Sequence, residues 1–339
     1  MRKSVFVLVL VALFGFHIDS FAQDETVSEK VQPGLLTEKG ATMVGRRNFV
    51  IEPGFQYTHI SSNRLDVTGV SVLPALVVGI IEVEKIRRDI LIPSLTFRLG
   101  LTDAFEFNLK IPYVARYDRY TFGADSLNTE NQLDRITERV DETGLGDIEG
   151  GLLVHLLKER DGMPGILAGL RVKSRTGKDP YGLRTKEVGQ VQGAGRTINT
   201  ELPLGSGHWA LEPNVTIVKT VDPAVFFLNL SYFDHIETDP GDGIGTVDPS
   251  DSINIGFGLA YALNDRFALS TAYEQKFYDR TEVDGKKIAE TDITTASLVF
   301  GGTYLMTNKV SLNVSVSFGL TPDSPDTQVS LKLPIRLAF

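Results

Sequence analysis

Hydrophobic residues recur at every second position of this chain, in blocks of about ten to fifteen residues separated by polar stretches. The block Thr327 to Phe339 shows the rule most clearly. Its odd positions, Val329, Leu331, Leu333, Ile335, Leu337 and Phe339, are apolar, and its even positions, Gln328, Ser330, Lys332, Pro334, Arg336 and Ala338, are polar or small. Period two belongs to a strand with one apolar and one wet face. Between Ala104 and Asp118, Phe105, Phe107, Leu109, Ile111, Tyr113 and Tyr117 alternate with Glu106, Asn108, Lys110 and Arg116. Val310 to Leu320 repeats it with serines on the wet side. The same reading applies to Phe49–Ile60, Leu91–Leu101, Leu145–Leu157, Gly165–Arg175, His208–Val221, Ala224–Ile236, Ile253–Leu263, Phe267–Phe277 and Leu298–Tyr304. About twelve strands result, each long enough to cross a bilayer at a tilt.

The connections are sorted by length. Turns near 102, 160, 222, 264 and 308 are short, while those near 75, 130, 190, 243, 285 and 323 are mostly long. With both termini on one side, all short turns fall on that side and all long loops on the other. An even strand number also closes the sheet, which hydrocarbon requires because it cannot hydrogen-bond a free backbone edge. The expected fold is all-β: a transmembrane antiparallel up-and-down β-barrel of about twelve strands over 48–339. Tyr113, Tyr117, Trp209, Tyr232, Tyr261, Tyr273 and Tyr304 fall mostly near strand ends, as interfacial girdles do. The stretch Arg196–Leu204, inside the large insertion Thr176–Ser206, is a further candidate strand at the rim.

The N-terminus supplies the compartment. Arg2 and Lys3 precede an apolar run, Val5 to Phe16, too short to span as a helix, and Ser20-Phe21-Ala22 fits a cleavage site. Residues 1–22 are therefore expected to be a signal peptide and 23–47 a polar periplasmic lead-in. The ending on Phe339 resembles the signal read by the barrel-assembly machinery of the outer membrane. Expected partners are outer-membrane lipid and that machinery.

Composition narrows the chemistry. The 339 residues contain no cysteine, which excludes disulfides and thiolate metal sites. Acidic residues outnumber basic ones by 43 to 34, which argues against a nucleic-acid partner. A mean hydropathy of −0.01 suits strands that are only half apolar.

Three local patterns resemble a known family. Glu142-Thr-Gly-Leu-Gly-Asp-Ile148 precedes a strand, Gly100-Leu-Thr-Asp103 leads to Ile111-Pro-Tyr113, and Leu204-Gly-Ser-Gly leads to Lys219 and Asp222-Pro223. Together they resemble the outer-membrane barrels of the MetA-pathway of phenol degradation, over residues 50 to 339. Arg175-Thr176-Gly177 departs from that pattern, where Pro-Thr-Gly is usual. The resemblance implies passive passage of small hydrophobic or aromatic molecules, without a cofactor.

The wet faces carry the candidate pathway residues: Arg98, Glu106, Lys110, Arg116, Asp147, Glu149, Arg171, Lys173, Arg175, Glu212, Glu274, Lys276, Lys332 and Arg336. Across the hairpin near 160, geometry pairs Asp147 with Arg175 and Glu149 with Lys173, within a register step, and Arg98 approaches Glu106 or Asn108. One reading is a charged channel lining that selects solutes. The other is a structural or surface-interaction barrel whose lumen is filled by its own ion pairs. Ser206 and His208 lack an orienting third group, so catalysis is not expected. Asp239, Asp242, Asp248 and Asp251 miss the EF-hand spacing. Gly193-Ala-Gly195 has no helix after it to hold a phosphate.

Overall fold

The computed structural model describes residues 42–62, 85–122, 136–160, 162–191, 194–241, 243–289 and 291–338. The expected signal peptide, the 23–41 part of the lead-in, Gly193, Asp242 and Phe339 lie outside the described residues.

The chain opens with three long strands, β1 (Asn48–Ser62), β2 (Lys85–Gly100) and β3 (Phe105–Phe122). The fourth span is interrupted: β4 (Ile136–Leu145) and β5 (Glu149–Leu157) both pair with β3. After β6 (Gly165–Lys173), β7 (Thr185–Val191) and β8 (Ala194–Asn199) pair with each other. The wall resumes with β9 (Ala210–Val221) and β10 (Ala224–His235). A small sheet of β11 (Val247–Asp248), β14 (Glu282–Val283) and β15 (Lys286–Lys287) joins two loops at the long-loop end. Between its pieces run β12 (Ser252–Asn264) and β13 (Phe267–Tyr278), followed by β16 (Thr294–Thr307) and β17 (Val310–Gly319). The last span is again split, into β18 (Thr327–Lys332) and β19 (Ile335–Ala338), at Leu333-Pro334. Proline has no N–H for the ladder, which accounts for the break.

Among the described residues these strands form one closed antiparallel barrel of twelve spans. Closure is explicit at β1, which pairs with β2 along one edge and with β18 and β19 along the other, through Tyr57↔Val329 and Ile51↔Ile335. The wall therefore has no free edge, as a membrane barrel requires.

The pleat sorts the side chains as the alternation demands. Phe107, Leu152 and Leu170 lie in one cross-strand row on the outside, 40%, 45% and 39% exposed. Glu106 and Thr216, on the inner face, are fully buried. A soluble protein would carry these faces the other way round. Outward aromatics also meet across strands, as in Phe257 opposite Tyr273, with ring centroids 5.4 Å apart.

Two stretches depart from the sequence expectation. The polar run after Asp118 is not all loop: β3 continues to Phe122 and β4 returns from Ile136, paired from Phe122↔Ile136 to Tyr113↔Leu145. This hairpin stands beyond the apolar band, so its outer face is polar and the alternation weakens, while Tyr120 and Val140 on its inner face pack with Ile86, Ile198 and Leu202. The rim segment Arg196–Leu204 does not join the wall either. Its strand, β8, ends at Asn199 and pairs only with β7.

Inside the barrel, the inward residues Leu167, Val218, Phe227, Ala260, Ala272 and Val299 form an apolar cluster. Met43, from the described end of the lead-in, packs on it.

Candidate solute pathway

Among the described residues the lumen beyond this cluster is largely polar and includes cavities of about 340 Å³ and about 390 Å³. The inner one, toward the short turns, is bounded by Glu52, Thr96, Arg98 and Asn108, and the outer one by Thr58, Ile90, Asp147 and Lys173. Gln56, Ile92, Lys110, Glu149, Arg171 and Lys276 line both, so they make the belt between the chambers.

The belt is a linked set of charges. Arg171 donates to Glu149 at 2.8 Å and bridges to Glu212, whose other oxygen accepts from Ser231 Oγ at 2.8 Å. Lys110 Nζ lies 3.5 Å from Glu149. One planar guanidinium thus joins carboxylates on two neighbouring strands, which a lysine could not do bidentately. Lys276 stands on β13, well around the ring from β3, and makes no ion pair among the described residues. Phe233 lies under Arg171 and Lys173, 5.6 Å and 5.3 Å from its ring centroid.

The expected pairs of the hairpin near 160 shift. Glu149 does face Lys173 in register, but its carboxylate goes to Arg171 and Lys110. Asp147 is 3.7 Å from Lys173 instead of pairing with Arg175. The reason is local: β6 ends at Lys173 and Arg175 is exposed beyond it.

At the outer mouth, charges hold a folded-in loop. Asp147 sits in the break between β4 and β5 and accepts from Gly177 N at 3.0 Å, Ser206 N at 2.8 Å and Ser206 Oγ at 2.9 Å. Arg116 is clamped on Asp118, which also takes Arg88, and donates to the Pro203 carbonyl at 3.2 Å. Leu204 packs on Ile90 and Val114 and lines the outer cavity. Asp147 and Arg116 thus anchor the segment Leu202–Ser206.

Ser206 and His208 do not form a nucleophile–base pair. Ser206 Oγ meets the His208 backbone, while the imidazole bonds Tyr181 through Nε2 and the Ile236 carbonyl through Nδ1. Burial pushes His208 below its ordinary pKa, the Ile236 bond opposing. Burial and Asp179 push Tyr181 up. In the neighbouring loop, Asp239 accepts from its own Gly241 turn, and Asp251 takes Tyr232 Oη and His235 N.

The inner mouth has a second inserted segment. Arg98 Nε lies 2.6 Å from Glu106, as the turn geometry suggests. Above that pair runs the strap Thr42–Val44: Val44 N donates to Glu106 at 2.7 Å and Arg98 donates to the Thr42 carbonyl at 3.0 Å. Arg47 N bonds the Gly100 carbonyl, and a Cβ at Gly100 would stand 1.7 Å from the Gly45 oxygen, so only glycine admits this approach.

The remaining candidates are spread along the wall. Glu274 and Lys276 line the outer chamber, Lys332 the inner one, and Arg336 lies opposite Val50 on β19. Phe227 and Phe233, absent from the sequence candidates, occupy the polar phase of β10 on either side of Asn229 and Ser231. Two aromatics out of phase were the available signal.

No protein-family model matches the chain. Among solved structures, it is similar to an outer membrane channel from Pseudomonas putida F1, with 12% identity, 93% of this chain and 100% of that chain covered and a TM-score of 0.57. It is also similar to the translocator domain of autotransporter NalP from Neisseria meningitidis, with 9% identity, 90% and 93% covered and a TM-score of 0.50. The shared feature is the fold. This chain is a transmembrane β-barrel.

Proposed function

We propose that the protein is a passive outer-membrane channel for small solutes. The observation that carries the reading is the pair of polar cavities meeting at the charged belt, a continuous wet lining inside an apolar exterior. The family resemblance suggests hydrophobic or aromatic cargo. The lining favours small polar cargo instead, since its apolar cluster is occupied by Met43. The short turns then face the periplasm and the long loops the exterior. Fractionation tests the location: recovery in the soluble periplasmic fraction overturns it.

A second reading is a non-transport barrel, favoured by the two segments folded into the lumen, Thr42–Val44 and Leu202–Ser206. Ion current across planar bilayers decides between them. A channel conducts once the strap is released, whereas a filled barrel stays silent even then.

A further inference from the structure

The inner chamber carries amide groups that the fold leaves unused. Asn108, Asn214 and Asn254 all line it, on β3, β9 and β12. Asn254 Oδ1 is buried and has no hydrogen-bond partner among the described residues. Neither the Asn108 nor the Asn214 amide makes a hydrogen bond among those residues. Asn214 and Asn254 both face Ser231 in register, so two of the three amides belong to one cross-strand row.

Glycines opposite two of them make the room. Asn108 faces Gly151, and Asn214 faces Gly169. A Cβ at Gly151 would stand 2.7 Å from Asn108 Oδ1, and one at Gly169 would stand 2.6 Å from Asn214 Nδ2. Each amide therefore lies flat over bare backbone, and a methyl group there would drive it into the chamber.

The geometry points to a binding site for small, uncharged, polyhydroxylated solutes, held by the amides of Asn108, Asn214 and Asn254. A primary amide offers both donors and an acceptor, and a hydroxyl is its natural counterpart because it also donates and accepts. Arg171 and Lys110 are already engaged by Glu149 and Glu212, which leaves Lys276, opposite Asn254, as the cation an anionic competitor would use, and benzoate is the probe for such a competitor. A chamber of about 340 Å³ falls among pockets that hold small organic molecules. This inference deepens the channel reading and rests on it for its physiological meaning, but binding itself does not require conduction.

The test uses the full chain in planar bilayers, with glucose as probe, and calorimetry on the detergent-folded protein. Glucose is expected to interrupt the current, with the half-blocking concentration raised about tenfold in N108A and in N214A, as expected for one lost hydrogen bond each. K286A, in the outer β14–β15 hairpin, is the unchanged control. G151A is expected to lower the conductance, and adding N108A to it to restore it. A conducting pore that glucose does not block overturns the site and leaves the channel standing. So does block that is equal in N108A, N214A and K286A, or block by benzoate but not by glucose. A barrel that stays silent even with the strap released, yet binds glucose in calorimetry with binding lost in N108A, upholds the site and overturns the channel. The absence of binding and, with the strap released, of current overturns both.

Discussion

Arg171 and Asp147 lie close together on the same wall, yet their chemistry assigns them different work. Arg171 offsets two carboxylates in a hydrated lumen, with its own side chain 39% exposed. Cross-strand coupling of this kind contributes only roughly 0.2–1 kcal/mol per pair. Arg171→Ala should therefore leave the barrel folded while Glu149 and Glu212 turn the belt toward cations. The check is the reversal potential across a salt gradient; no shift toward cation preference would make the network mere packing. Asp147 is almost wholly buried and accepts from two backbone amides and a hydroxyl. Each buried donor left unpaired costs about 1–3 kcal/mol. Asp147→Ala should loosen the outer loop, read as faster tryptic cleavage after Lys178 in an intact barrel. Arg175→Ala, at an exposed position, should change neither property.

At the scale of elements, the barrel is a wall with one inserted segment at each mouth. The strap is held through the Val44 N–H, so Val44→Pro removes that bond without touching the Arg98–Glu106 pair. Its single-channel conductance should rise; an unchanged conductance would mean that the strap does not obstruct the path. The outer loop carries a titratable support in His208, whose pKa is lowered from 6.5 chiefly by burial. Lys173 and Arg175 also oppose its protonation, while Asp248 favours it. A histidine kept neutral in the fold contributes stability above its unfolded pKa, and that contribution is lost as pH falls through 6.5 toward the folded value. The protection factors of residues 177–191 and 194–208 against hydrogen exchange, corrected for the intrinsic rate, should therefore fall between neutral pH and about pH 5, and equal protection at both would contradict the assignment. Neither inserted segment was legible beforehand. The wall strands were, because lipid on one side and water on the other force period two on every residue between them. β4 stands clear of the lipid and loses that signature. The strap meets Glu106 across 62 positions of sequence, and no local pattern encodes such a contact. Asn108 over Gly151 likewise needs the register before it can be seen.

For the whole molecule, the ring of paired strands has removed the usual distinction between core and surface. Its outside is apolar and much of its inside polar, so stability depends on which face a substitution enters more than on its size. Adjacent residues of β2 test this cleanly. Leu95 points outward, 37% exposed and opposite Ile111, whereas Ser94 lines the inner chamber. An arginine facing lipid near the bilayer midplane costs roughly 2–4 kcal/mol, while lumen substitutions chiefly tune selectivity. Leu95→Arg should accordingly destabilise the barrel by that amount in urea-refolding into lipid vesicles. Ser94→Arg should fold nearly as the parent does, since its guanidinium enters a wet cavity, and should narrow the pore and lower its conductance. The reverse outcome, with Ser94→Arg unfolding the protein and Leu95→Arg harmless, is what a soluble β-structure would give. It would place lipid on the wrong face of every strand described here.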